Sequence, residues 1–364
     1  MKIDNFFKNI YIKFLVKKKF KKLFSNNISK SSGIILVEFN KWTSTHISIA
    51  YASSVLSKKY NSEICAYAEN GFSKLLFGFS FIDKIYIYLN KFFKFKSYSI
   101  YSSFGVQKFI ELNNIDPQIF LKSKKSVDNF KKKIKNKEDI LKLRLEGVLI
   151  GDLIYDTYLR IYKVPTIEIS DPNFLNFLKK SIDYFYFWDF FFKKNKVRAV
   201  VVSQAVYNST IPMRIGLKYK SVCLISNPRF VRRLTKSVPY SDSENLTFKK
   251  SFGKLSAEHK KIALDKTQKM LKLSFEKNNK LLEDDSFLSS IEYRKKSFVH
   301  KNDYKKIWSK NRIIKKNKKI KILICPHALS DAPHTRGLHL YPDFYEWLVS
   351  ILEISKKTNY DWYL

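Results

Sequence analysis

Short apolar runs alternate with longer mixed segments over the first two thirds of the chain. Runs of this length with few polar breaks are typical of strands that are buried on both faces of a sheet. The predicted strands are Gly33–Phe39, Ile64–Ala68, Val197–Val202 and Ser221–Ile225. Because helical segments separate most of them, the pattern predicts an α/β fold with a parallel sheet.

The segment between the first two predicted strands has the apolar spacing of a helix. The segment His46–Lys59 predicts a helix with one apolar side formed by Ile47, Ala50, Tyr51 and Val55. This order of strand, helix and strand is a βαβ unit. Farther along, we predict a helix over Phe104–Leu112, and a short strand over Gly147–Ile150 that leads into the helix Leu153–Tyr162.

Changes in composition divide the chain into four parts. Residues 1–30 form a basic amphipathic segment, 31–245 an α/β domain, 246–318 a helical and basic linker, and 319–364 the start of a second α/β domain. The last part predicts one strand, one helix and the opening of a further strand. So few elements cannot bury their own apolar faces. We therefore expect the second domain to continue beyond Leu364.

The net charge of +37 first suggests a nucleic-acid partner. However, 59 of the 69 basic residues are lysine, and they are spread over the whole chain. Specific contacts to bases favour the bidentate fork of arginine. A solvated lysine surface is therefore the simpler interpretation, and nucleic acid is an unlikely partner.

The N-terminal segment Phe6–Phe24 interleaves aromatic and aliphatic residues with lysine. It lacks the apolar run and cleavage site of a signal peptide, and no stretch reaches the ~20 apolar residues that span a bilayer. Such a segment is suited to an anionic membrane surface, and a solvated, partly helical tail is the alternative. The three cysteines lie in apolar runs, which fits a reducing cytoplasm: Cys65, Cys223 and Cys325.

In open α/β sheets, ligands bind beyond the carboxyl ends of the strands. Four loops are predicted at that edge: Glu38–His46, Gly151–Asp156, Ser203–Tyr207 and Pro326–Gly337. Glu38 and His46 are candidate general bases, and a capping or packing role is the alternative for His46. Asp152 is a third catalytic candidate, through a substrate hydroxyl, unless it only caps its helix.

The fourth loop carries the strongest chemical signal, because three of the six histidines fall within thirteen residues. Short polar side chains at a strand-to-helix turn suit a phosphate or a sugar hydroxyl, and a structural loop is the alternative. The spacings match no metal motif, so we predict no metal site. Three of the ten arginines lie in Asn227–Arg233, and their forks suit phosphate. The substrate-binding candidates are Ser203, Tyr207, Arg229, His327, Ser330, Asp331, His334 and Arg336.

Three segments carry a resemblance to a known family. They are GDLIYDTYLR (Gly151–Arg160), VVSQAVYNSTIPMRIGL (Val201–Leu217) and PHALSDAPHTRGLHLYPDFYEWL (Pro326–Leu348). They resemble bacterial capsule and surface-polysaccharide biosynthesis proteins of the GT-B glycosyltransferase type. The family pattern has a histidine where this chain has Gln204, and it continues into a Lys-Pro-His-Pro stretch that is absent here.

The resemblance implies two Rossmann-like domains facing a cleft. The second domain would bind a nucleotide-sugar donor and the first a glycan or lipid-linked acceptor, with no bound cofactor. The enzyme would act in the cytoplasm, at the inner face of the membrane, and this length of chain would lack most of its donor site. The alternative is a non-catalytic protein that binds nucleic acid or another anionic surface, which needs one contiguous basic face.

Overall fold

The computed structural model describes residues 18–24, 31–40, 42–68, 89, 92–93, 97–110, 117–228, 230–240, 249–250, 252–275, 317–337 and 339–364. The candidate Arg229 lies outside these residues, as do 6–17 of the predicted membrane segment and 276–316 of the predicted linker. The chain divides into two compact units. The first comprises Met1–Ser241 with Pro326–Ser350, and the second comprises Asp242–Cys325 with Ile351–Leu364. The Pro326 loop, predicted to open the second domain, therefore belongs to the first unit.

Six strands of the first unit form one sheet. In chain order, the eight strands described in the first unit are β1 (Ile34–Phe39), β2 (Glu63–Ala68), β3 (Val106–Ile110), β4 (Arg144–Leu145), β5 (Val148–Leu149), β6 (Val197–Val202), β7 (Val222–Ser226) and β8 (Val231–Arg233). The sheet order is β3-β2-β1-β6-β7-β8, and every neighbouring pair is parallel except β7 with β8. This doubly wound order reverses between β1 and β6. The predicted α/β fold is confirmed, and the sheet is compatible with a Rossmann-like domain.

Helices cover both faces of this sheet. They are α1 (Thr43–Tyr60), α2 (Ser97–Ser103), α3 (Pro117–Lys133), α4 (Lys137–Leu141), α5 (Gly151–Tyr162), α6 (Pro172–Lys194) and α7 (Ile211–Lys218). Successive residues of β1 point to opposite faces, so Leu36 packs with residues of α5 and α6, whereas Ile35 and Val37 pack with α1 and α2. Burial on both faces explains the apolar run that predicted this strand.

The remaining elements are α8 (Ala257–Phe275), β9 (Lys321–Leu323), α9 (Phe344–Lys356) and β10 (Asp361–Tyr363). In the second unit, β9 and β10 form a parallel pair. No residue of α9 is buried. Within the described residues, no helix combines the length and the apolar character needed to cross a membrane.

The apolar side predicted for α1 does not face the sheet as a whole. Ala50 is buried, but Ile47, Tyr51 and Val55 are exposed. The helix turns its small residues toward the sheet, including Ser53 and Ser57, which are fully buried. Small side chains let the helix backbone lie close to the strands, and Ile47, Tyr51 and Val55 face outward.

Two predicted elements are also corrected. The helix predicted over Phe104–Leu112 is wrong, because α2 ends at Ser103 and β3 pairs in parallel with β2. The strand predicted over Gly147–Ile150 contributes only β5, which pairs with β4 in an antiparallel hairpin outside the main sheet. Glu146 and Gly147 have positive φ angles of 48° and 79°, the backbone that a two-residue hairpin turn requires.

The end of the predicted membrane segment packs into the core. Residues 18–24 are helical, and the side chains of Phe20 and Phe24 are buried against the face of the sheet that α1 and α2 cover. These two aromatic side chains are therefore not available to a membrane surface, whereas the lysines between them are exposed.

Candidate functional site

A buried carboxylate joins the ends of β1 and β6, where the order of the sheet reverses. Glu38 Oε2 accepts hydrogen bonds from the backbone N–H of Ser203 at 2.6 Å and from its hydroxyl at 2.5 Å. Burial raises the pKa of Glu38, and the hydrogen bonds from Ser203 oppose that shift. Two predicted site residues thus meet at the position where doubly wound sheets bind ligands. Glu38 has no exposed surface, and its hydrogen bonds with Ser203 hold the two strand ends together.

His46 packs at the start of α1. Its Nε2 lies 3.1 Å from the Asn40 carbonyl oxygen, and its ring meets the ring of Tyr101 edge-on at 5.3 Å. Burial lowers the pKa of His46 to about 4, so the ring is neutral near pH 7. Because a carbonyl can only accept, Nε2 carries the proton of the neutral ring. These contacts are those of a histidine that packs at the start of its helix, which was the alternative to a general base.

Asp152 lies in the first turn of α5 and forms a buried ion pair with Arg214 of α7, at 2.7 Å. Arg214 also donates to the Leu149 carbonyl at 3.1 Å, and its guanidinium lies 5.1 Å from the centre of the Tyr240 ring. Ile150 occupies the N-cap position of α5, so Asp152 does not cap this helix. Its carboxylate instead fixes α5 to α7.

Asp156, one turn farther along α5, binds His334 of the Pro326 loop. His334 donates to the Asp156 carboxylate from Nδ1 at 2.6 Å and from its backbone N–H at 3.1 Å. Burial acts to lower the pKa of His334, but the Asp156 charge and hydrogen bond outweigh it and raise the pKa. The Nε2 atom of His334 is also buried, and the backbone of Pro342 adds to the rise in the His334 pKa.

A third turn of α5 brings Arg160 to the same loop. Arg160 and the Tyr207 hydroxyl both donate to Asp331 Oδ1, each at 2.6 Å. Tyr207 has φ 63° and ψ 171°, a backbone conformation that is costly for any residue with a side chain. Burial, with Asp331 beside the hydroxyl, raises the pKa of Tyr207. The strained turn after β6 thus directs Tyr207 onto the Pro326 loop.

Asp343, the residue directly before α9, is also bound to α5. The Tyr155 hydroxyl donates to Asp343 at 2.5 Å, and Thr166 donates to the same carboxylate at 2.6 Å. The Tyr155 ring meets the His334 ring edge-on at 5.5 Å. Asp343 in turn caps α9 by accepting from the Glu346 backbone at 2.8 Å.

Three charged residues of α5 make these contacts: Asp152 binds Arg214 of α7, whereas Asp156 and Arg160 bind the Pro326 loop. Their spacing of four residues places them on one side of a helix. Sequence reasoning selected Asp152 alone and missed Asp156 and Arg160 as site residues. The i, i+4, i+8 repeat was the available signal, but it is equally typical of a solvent-exposed helix face.

The other candidates of the Pro326 loop form its outer surface. His327 and Arg336 are exposed, and Ser330 is half-buried. Burial, together with the neighbouring charges of His334 and Arg336, lowers the pKa of His339, so this ring is neutral near pH 7. Among the described residues, no three histidine, cysteine, aspartate or glutamate side chains are placed to hold a metal ion.

The fold and the site together define an α/β protein with a polar cluster where α5, the turn after β6 and the Pro326 loop meet. Comparisons with protein-family models, with curated proteins and with solved structures found no match to this chain.

Proposed function

We propose that this protein is a glycosyltransferase of GT-B type that acts in surface-polysaccharide assembly. It would transfer a sugar from a nucleotide-sugar donor to a glycan or lipid-linked acceptor. One observation carries the proposal. The hydrogen bonds of Asp331 to Arg160 and Tyr207 join the three segments that carry the family resemblance.

The charges of this region suit an anionic ligand. Arg160 is half-exposed beside Asp331, and Arg336 is exposed. Guanidinium groups bind phosphate oxygens with paired hydrogen bonds, and a nucleotide sugar carries one or two phosphate groups. We therefore assign donor contact to the exposed rim of the loop, with Arg336 as the main cation and Ser330 and His327 beside it.

The buried candidates have a different role in this proposal. Glu38, Asp152 and His334 each bind another buried or half-buried partner, and their side chains are almost fully enclosed. We propose that they position the strand ends and the Pro326 loop. His46 has the same enclosed character, so neither candidate base reaches an acceptor hydroxyl without a local opening of the site.

Titration calorimetry with a panel of uridine, guanosine and cytidine nucleotide sugars tests the proposal on the full-length protein. We expect one class to bind, and Arg336→Gln to weaken that binding by about 1.5–3 kcal/mol, the range for a hydrogen bond to a charged group. Lys124→Gln, which removes an exposed charge from α3, is the matched control and should leave binding unchanged.

Transfer is measured in parallel as incorporation of labelled sugar into membranes of a bacterium that makes a surface polysaccharide. Absence of binding for every nucleotide sugar, or equal losses in the two variants, would contradict a donor site on this loop.

A further inference from the structure

The solvent-facing side of α1 is apolar. Ile47, Tyr51 and Val55 follow one another at intervals of four residues, and their exposed fractions are 53%, 63% and 49%. The opposite side of the helix packs on the sheet through residues such as Ile49 and Leu56. A helix at a protein surface normally presents polar residues to water, so an outer apolar row needs a partner.

The helical residues 18–24 contact α1 through Phe24. The Phe24 carbonyl accepts a hydrogen bond from Ser54 at 3.2 Å, and the Phe24 ring meets the Tyr51 ring edge-on at 6.4 Å. Leu23, the next residue back, is 54% exposed. We call the outward row of α1 (Ile47, Tyr51 and Val55), together with the exposed Leu23 that precedes Phe24, the α1 stripe.

The two segments that carry the α1 stripe are rich in exposed lysine. The helical segment 18–24 and α1 together contain no aspartate or glutamate. Their basic residues are all exposed: Lys18, Lys19, Lys21, Lys22, Lys58 and Lys59. The partner that covers this surface must therefore be apolar at its centre and negatively charged around it.

We propose that the α1 stripe docks on an anionic lipid surface. The four apolar side chains would enter the boundary between headgroups and acyl chains, and the six lysines would contact lipid phosphates. A second copy of this chain would oppose six lysines with six more. A nucleic-acid duplex presents phosphates but no apolar surface for the stripe.

This docking surface goes beyond the proposed sugar transfer and does not depend on it. None of the four stripe residues is a candidate site residue, and lipid binding is measured without donor or acceptor. Vesicle binding can therefore confirm the docking surface even if the protein transfers no sugar. Lack of vesicle binding can refute it even if the protein is an active enzyme.

Cosedimentation of the full chain with vesicles tests the proposal. We expect binding to phosphatidylcholine vesicles that contain phosphatidylglycerol, little binding to phosphatidylcholine alone, and weakening as salt rises. Ile47→Ser combined with Val55→Ser, and separately Lys21→Glu combined with Lys22→Glu, should each weaken partitioning by on the order of tenfold.

The helix α3 supplies matched controls, because Phe120, Leu121, Lys124 and Lys125 are also exposed. Phe120→Ser with Leu121→Ser removes a similar apolar area, and Lys124→Glu with Lys125→Glu makes the same change of charge. Both should bind vesicles like the parent chain. Circular dichroism confirms that each variant is folded.

Three results would overturn the proposal. The α3 variants could lose binding as much as the α1 variants, or the parent chain could bind vesicles without anionic lipid equally well. The Ile47→Ser, Val55→Ser variant could also retain vesicle binding while losing self-association in sedimentation velocity, which would make the stripe a contact between copies.

Discussion

His334 binds the Asp156 carboxylate through two donors, the ring Nδ1 and its own backbone N–H, although the two residues are 178 positions apart in the chain. Both side chains are almost completely buried. The pair fixes the orientation of the imidazole and also the path of the loop that carries it. The Pro326 loop is thereby part of the first unit's core.

Replacing His334 by alanine should lower the free energy of unfolding by about 3–5 kcal/mol, because the Asp156 carboxylate is then buried without its charged partner. Urea titration monitored by circular dichroism measures the loss. Lys108→Ala breaks the exposed Lys108–Glu63 pair, at 3.1 Å, and should cost at most about 1 kcal/mol. The double variant Asp156→Ala, His334→Ala should be no less stable than His334→Ala. Additive losses would mean that the two residues act independently.

His46 should make the protein less stable as the medium becomes acidic. Its pKa of about 4 in the folded state lies below the ordinary value of 6.5, so between these values the unfolded chain binds the proton that the folded protein excludes. Stability should fall from pH 6.5 toward pH 4, by on the order of 3 kcal/mol. His334, whose pKa is raised, contributes in the opposite sense, with stability present at low pH and lost as pH rises through its folded pKa.

The His46 contribution is isolated by comparing the parent chain with His46→Gln, which keeps a donor for the Asn40 carbonyl. Unfolding free energies measured at several pH values should fall less steeply in the variant between pH 6.5 and pH 4. Parallel curves for the two proteins would show that His46 does not titrate in this way.

Gly151 should tolerate no side chain. A Cβ at this position would lie 1.9 Å from the Ile140 carbonyl oxygen and 2.8 Å from the Leu141 backbone, so α5 would have to move away from α4. We expect Gly151→Ala to destabilise the protein by about 3 kcal/mol or more, at the upper end of the cost of overpacking. Gly253→Ala, whose Cβ would meet no atom within 4 Å, is the control. Similar melting temperatures for the two variants would contradict this packing.

One of the three thiols should react quickly in the folded protein. Cys325 is exposed, whereas Cys65 and Cys223 are buried, and burial raises the pKa of each to about 12. Reaction with an aromatic disulfide reagent should release one equivalent rapidly and the others only on unfolding. Cys325→Ser should abolish the fast phase, and a persisting fast phase would place another thiol at the surface.

The sequence by itself determined the elements that are buried on both sides. The apolar runs that become β1, β2, β6 and β7 have this character, because a strand covered on both faces needs no polar residue in its middle. It also indicated that Glu38 and Ser203 lie at one edge, since parallel strands end on the same side of a sheet.

Tertiary structure decided which side of a helix faces the core. In α1, Ile47 and Ala50 satisfy the same helical spacing, and only the close approach to the sheet buries the alanine and exposes the isoleucine. Pairing with β2 likewise makes Val106–Ile110 a strand. Gln107 and Lys108 are exposed at the edge of the sheet, so this segment has no apolar run that would predict a strand.

The pairing of residues in the polar cluster also could not be predicted from the local sequence pattern. His334 and Asp331 were visible as polar residues of an irregular loop, but their partners Asp156 and Arg160 lie on a helix that resembles any charged surface helix. Ion pairs and hydrogen bonds between segments this far apart leave no periodic signal, because their geometry exists only once the chain has folded. The residue types available to the site were therefore fixed by the sequence, and their pairing was fixed by the packing of the Pro326 loop on α5.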